Sequence, residues 1–197
     1  TLPAELVRIQ RTITDGDEDS DDDDVDISQI FKFEDDGPVL LPPSQDPLDL
    51  TTDDTDITDD DTLSTDDIFP TTPDFGSDGP HATDPLDFEL SLATENGNSG
   101  LVDTATGKAV LLATVGADIV GYVDADGNGS LSAGEKIASL EAIRYSLAED
   151  DADSSTVTFT QSRSVVHPNV NDPDEAGFPE RVAFNLVMIN QIAIDGD

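Results

Sequence analysis

Acidic residues outnumber basic ones by 45 to eight in this chain, and its formal charge at neutral pH is -37. Its own eight basic side chains fall far short of neutralising that excess. Self-repulsion on this scale opposes a compact state, so folding calls for an external counter-charge: metal ions, ambient salt or a basic partner. The same charge excludes nucleic acid and anionic membrane surfaces as partners, because both would repel the chain. There is no cysteine, so neither disulfides nor thiolate metal sites can staple the fold. Bound calcium can serve instead. No apolar run approaches the ~20 residues of a membrane span, and no membrane insertion is expected.

The sharpest motif is Asp124-Ala125-Asp126-Gly127-Asn128-Gly129-Ser130-Leu131-Ser132-Ala133-Gly134-Glu135. It has the spacing of the calcium loop of an EF-hand, in which six to eight hard oxygens are wrapped around one point. Asp124, Asp126 and Asn128 fall at the first, third and fifth positions. Gly129 stands at the sixth, where the chain must turn sharply. Ser130 offers a backbone carbonyl at the seventh, Ser132 acts directly or through water at the ninth, and Glu135 closes the site as a bidentate ligand. The competing reading is a solvated acidic loop. The flanks depart from an EF-hand: Ile119-Val120-Gly121-Tyr122-Val123 is strand-like, because glycine and β-branched residues disfavour helix. A short helix is expected around 133–142, with Ser132 and Glu135 in capping-box spacing. The loop should therefore sit within a β domain and hold a structural or ligand-linked ion. Weaker carboxylate turns, each as compatible with solvated loops as with calcium, are Asp15 and Asp17, Asp35 and Asp36, and Asp172 and Asp174.

Elsewhere, residues 5–13 read as a strand with Val7, Ile9 and Ile13 on one face, followed by an acidic turn from Asp15 to Asp24 and a second strand over 25–33. Between Asp15 and Asp61 stand twenty acids and one base, Lys32. Residues 42–85 are biased toward Asp, Thr and Pro. They are either disordered or a set of calcium-ordered loops. Leu86–Leu92 alternates strictly between apolar and polar and reads as a strand. Further strands are expected over 108–115, 118–123, 156–160 and 181–194. The class is all-β: a calcium-stabilised, sandwich-like domain with long acidic loops and one short helix.

The two ends match. Leu6-Val7-Arg8-Ile9-Gln10-Arg11-Thr12-Ile13-Thr14-Asp15-Gly16-Asp17 aligns with Leu186-Val187-Met188-Ile189-Asn190-Gln191-Ile192-Ala193-Ile194-Asp195-Gly196-Asp197, with six of twelve positions identical. Either any strand followed by Asp-Gly-Asp looks alike, or the chain is a little more than one unit of a tandem array. On the second reading residues 1–17 are the junction strand ending a preceding repeat, and 18–197 form one module. Neighbouring repeats of the same chain would then be partners. No enzymatic activity is expected: there is no cysteine nucleophile, no G-x-S-x-G elbow and no P-loop. The histidines, His81 and His167, are too few to suggest a catalytic metal.

Several phrases resemble the acidic repeat domains of giant RTX adhesins exported by type I secretion. They are Ser99–Val110 (SGLVDTATGKAV), Arg163–Pro168 (RSVVHP) and Asn171–Glu175 (NDPDE), with Thr14–Asp17 and Phe33–Pro38 similar to the junctions between such repeats. The resemblance implies secretion to a bacterial cell surface, a β-rich fold and several bound calcium ions. It also implies adhesion to a peptide, protein or glycan on a target cell, with a calcium-rigidified spacer as the alternative. Residues 42–85 and the loop Asp124–Glu135 depart from the plainer repeats. Such insertions serve as binding loops, which tilts the expectation to a ligand-binding module with a peptide or protein ligand. A hydrolase from a salt-loving organism, whose acidic surface answers to bulk salt, is the remaining rival.

Overall fold

A computed structural model describes residues 3–32, 34, 36–46, 48–53, 56–135, 140–150, 154–167, 181–183 and 185–196. Asp35, Asp172 and Asp174 lie outside the described residues. The chain divides into two compact units, Thr1–Gly37 and Pro38–Asp197.

The first unit is an antiparallel hairpin of β1 (Arg8–Thr14) and β2 (Ser20–Asp26). The boundary expected after Asp17 falls in the turn of this hairpin. The turn expected over 15–24 is shorter, because pairing with β1 draws Ser20–Asp26 into a strand. Arg11 lies opposite Asp23, the Gln10 amide donates to Asp22 at 2.7 Å, and Arg8 ion-pairs with Asp24. These cross-strand partners relieve a run of aspartates that has little strand propensity of its own. The strand expected over 25–33 therefore ends at Asp26, and Ser28–Ile30 form a single 3-10 turn.

The second unit holds a six-stranded antiparallel sheet in the order β3-β9-β8-β7-β6-β5 and a two-stranded sheet, β4–β10. The strands are β3 (Asp60–Ser64), β4 (Leu86–Leu92), β5 (Gly97–Val102), β6 (Ala109–Val115), β7 (Asp118–Val123), β8 (Glu141–Glu149), β9 (Ser155–Gln161) and β10 (Val187–Ala193). β4 lies against β6, β7 and β8. The core between the sheets is built from Leu101, Val110, Leu112, Ile119, Ala142, Ile143 and Val165, with Leu90, Leu92, Leu186 and Val187 packed against it. This is the sandwich-like all-β fold expected of the alternation. β7 is an apolar run because both of its faces are covered: Ile119, Tyr122 and Val123 are fully buried. Gly121 leaves room for the side chains of its neighbours in the same sheet, Ile143 on β8 and Val110 on β6. A Cβ there would stand 2.3 Å from Ile143 Cγ1 and 3.1 Å from Val110 Cγ1.

Inside the acidic segment 42–85, β3 adds to the sheet edge by pairing with β9. It leads into the helical turn α1 (Thr65–Ile68), capped by the Ser64 hydroxyl accepting from the Asp66 N–H at 3.2 Å. A short helical turn is thus present within this acidic segment. Where one was expected over 133–142, residues 133–135 form a turn and β8 already begins at Glu141, while 136–139 lie outside the described residues. The strand expected over 181–194 is confined to β10.

Candidate metal centre

The loop 124–135 leaves the end of β7 and returns toward β8. Its base is tied by the Val123 N–H donating to the Leu140 carbonyl at 2.9 Å. Its path follows the spacing read from the sequence. Gly127 and Gly129 take left-handed φ of 73° and 72°, which side chains disfavour. Asp124 accepts from the Gly127 N–H at 2.7 Å and the Gly129 N–H at 3.0 Å, so the first residue of the loop folds the chain around itself. Asp126 accepts from the Asn128 N–H at 3.0 Å, and Asn128 Oδ1 accepts from the Ser130 N–H at 2.7 Å.

Glu135 closes the ring and is 3% exposed. Its Oε1 accepts from the N–H groups of Ala125 at 2.6 Å and Asp126 at 3.2 Å, and its Oε2 from Ser132 at 2.9 Å. The last contact is one half of the expected capping box. The Ser132 N–H, aided by those of Asp126 and Ala125, holds the Glu135 carboxyl down at about 2, against an ordinary 4.5. It is therefore ionised at every physiological pH.

Asp124, Asp126 and Glu135 bring ligand oxygens within 4.8 Å of one another, the one such group among the described residues. The donors are hard carboxylate oxygens, without sulfur or imidazole, as calcium requires. The residues present could hold a metal ion of the hard class. Of the sequence-derived set, Asn128, Ser130 and Ser132 lie on the same loop. Asp15 and Asp17 occupy the exposed β1–β2 turn, where Asp15 accepts from the Asp17 N–H at 3.2 Å, and Asp36 is exposed. Among the described residues none of these three belongs to a comparable group.

Two supports of the loop were not apparent in the sequence. Asn96, in the turn between β4 and β5 with φ of 57°, accepts at Oδ1 from the buried Tyr122 hydroxyl at 3.0 Å and the Leu131 N–H at 3.2 Å. It bolts the middle of the loop to the sheet. The one local signal at this position is the turn-forming Asn96-Gly97-Asn98. Burial pushes the Tyr122 phenol up to about 12, with Asp124 and Glu135 adding to the shift, so it stays a donor. Lys108 donates to the carbonyls of Asp124 at 3.2 Å and Ala125 at 2.5 Å, placing one of the few cations behind the loop and leaving the carboxylates to face inward.

A family model described as a domain of unknown function, DUF5801, matches residues 49–197. The chain belongs to the DUF5801 family. No curated protein and no solved structure matches it. The matched span of this DUF5801 domain contains the whole loop, Asn96, Lys108 and both sheets of the second unit. It also contains a cleft of about 680 Å³, walled by Phe69, Pro73, Phe75, His81 and Phe88, with the rings of Phe69 and Phe88 stacked at 6.0 Å. Most of that wall comes from the acidic segment 42–85.

Proposed function

We propose that this DUF5801 domain is a calcium-dependent ligand-binding module of a secreted bacterial surface adhesin, and that its ligand is a peptide or protein on another cell. The observation that carries the calcium half is the convergence of Asp124, Asp126 and Glu135 within 4.8 Å on a loop with left-handed glycines at its turns. Asp124, Asp126 and Glu135 would hold the ion, assisted by Asn128, the Ser130 carbonyl and Ser132. The ion would supply positive charge where three carboxylates otherwise repel one another. The adhesion half is supported by the resemblance to RTX repeats and by the aromatic cleft, whose size suits a small-molecule or peptide-segment ligand.

The working cycle follows from the charge. In low calcium, repulsion across the acidic chain disfavours the fold. Outside the cell, millimolar calcium meets a site of roughly 10⁻⁴–10⁻³ M affinity and stabilises the folded state by mass action. Calcium titration by calorimetry, with circular dichroism melts in EGTA, tests this. Calcium should raise the melting temperature of the native chain and leave Asp124→Ala and Glu135→Gln unmoved. An identical melt with and without chelator would sink the proposal. A peptide array read with and without calcium tests the ligand. A calcium response without any array binding would return the domain to the role of spacer.

A further inference from the structure

The hairpin of the first unit has an exposed apolar face. Ile9, Ile13 and Val25 are 56%, 60% and 58% exposed, and all three side chains lie on the same side because Ile9 pairs with Val25 and alternate residues share a face. A lone two-stranded hairpin is marginal in water. Three separate observations say what belongs there.

The first is the alignment of residues 6–17 with 186–197. The second strand of that pair, β10, has the cover that β1 lacks: Leu186 and Val187, equivalent to Leu6 and Val7, pack on the core of the second unit.

The second is hydrogen-bond parity. In an antiparallel ladder alternate residues direct their N–H and C=O groups to opposite edges. β10 bonds to β4 through its even-numbered residues: the Leu186 carbonyl accepts from the Ala93 N–H, and the Ile194 N–H donates to the Pro85 carbonyl, both at 2.9 Å. β1 bonds to β2 through its odd-numbered residues: the Val7 carbonyl accepts from the Ile27 N–H at 2.9 Å, and the Asp15 N–H donates to the Asp19 carbonyl at 3.0 Å. With an offset of 180 residues parity is kept. The edge of β1 that corresponds to the β4-bonding edge of β10 is therefore the edge that β2 leaves open.

The third is a glycine. A Cβ on Gly196 would meet the Asp78 carbonyl oxygen at 2.9 Å, so that position has room for glycine alone. Its counterpart Gly16 has nothing within 4 Å. The constraint that explains glycine at 196 is missing at 16 within this chain.

We infer that β1 is the closing strand of a preceding copy of this module, bonded by its even-numbered edge to that copy's counterpart of β4, with Val7, Ile9 and Ile13 laid on its core and Gly16 against its counterpart of Asp78. By the same geometry β10 offers its open, odd-numbered edge to the β2 of a following copy. One strand then belongs to two modules, and the interface is a continuous three-stranded sheet β4–β10–β2. A strand shared in this way resists bending at the junction more than a flexible linker does.

The test is hydrogen exchange on a tandem protein in which residues 1–197 run directly into a second copy of 18–197, compared with the single chain, calcium being present in both. In the single chain the amides of Met188, Asn190 and Ile192 should be protected and those of Ile189, Gln191 and Ala193 open. In the tandem the second set should slow by about tenfold or more, as β2 of the following copy covers them. Val25→Lys in the second copy should abolish that gain without changing the melt of the single chain that carries the same substitution. Equal exchange of the odd-numbered amides in tandem and single chain overturns the inference. So does protection that rises with the concentration of the single chain alone, which would assign the face to an unlinked second copy.

Discussion

Asn96 offers the most direct test of how the loop is held. One carboxamide oxygen serves two donors, the Tyr122 hydroxyl at 3.0 Å and the Leu131 N–H at 3.2 Å. Asn96→Ala strips both. Tyr122 is fully buried, so its hydroxyl loses a partner where water does not reach readily, at about 1–3 kcal/mol. The Leu131 N–H is only part-buried and can turn to water, at about 0.5–1.5 kcal/mol. Alanine must also hold the φ of 57°, a further ~1–2 kcal/mol. These effects overlap, and a loss of about 3 kcal/mol is expected, which for a unit of this size lowers the melting temperature by about 6–12 °C. Asn96→Gly removes the oxygen without the backbone strain and should cost about 1 kcal/mol less. Tyr122→Phe removes only the buried donor. Urea unfolding of the two single variants and of Asn96→Ala with Tyr122→Phe closes a double-mutant cycle, with an expected coupling of about 1–2 kcal/mol. Calcium affinity should fall in Asn96→Ala, where the loop is unmoored, and hold in Tyr122→Phe, where Asn96 still binds Leu131. Strict additivity, or a loss below about 0.5 kcal/mol for Asn96→Ala, would refute this account of the loop.

Gly121→Ala forces a methyl into Ile143 and should destabilise by about 1–3 kcal/mol in urea; in an Ile143→Ala background, where that space is open, the penalty should shrink or reverse. Glu135 is held below its ordinary value, so its contribution to stability is complete above about pH 4.5 and lost as pH falls toward about 2. A metal-free urea midpoint followed over that window should fall more steeply in the native chain than in Glu135→Gln. Asp103 is 1% exposed and held by Arg163 at 2.7 and 3.0 Å, and that guanidinium lowers its pKa. Arg163→Met strands the carboxylate and should cost about 3 kcal/mol by chemical denaturation, the low end for a buried pair because Arg163 is itself 21% exposed. Stability should then be lost at a higher pH on acidification, as the Asp103 carboxyl rises from its lowered value.

The amino-acid sequence alone determined what is local and periodic. The alternation of Leu86–Leu92 made β4, the β-branched run before Asp124 made β7, and the spacing of aspartates and glycines over 124–135 made a loop whose carboxylates converge, because that geometry is set by residues a few positions apart. Tertiary structure decided whatever depends on a distant partner. Ser20–Asp26 is a strand because β1 lies beside it, and Glu141 starts a strand because β7 does. Asn96 grips the loop across 35 residues and Arg163 reaches Asp103 across 60. Which edge of β1 is open is likewise a fact of pairing: side-chain periodicity fixes the face a residue occupies, but only the neighbouring strand fixes where its N–H and C=O are spent.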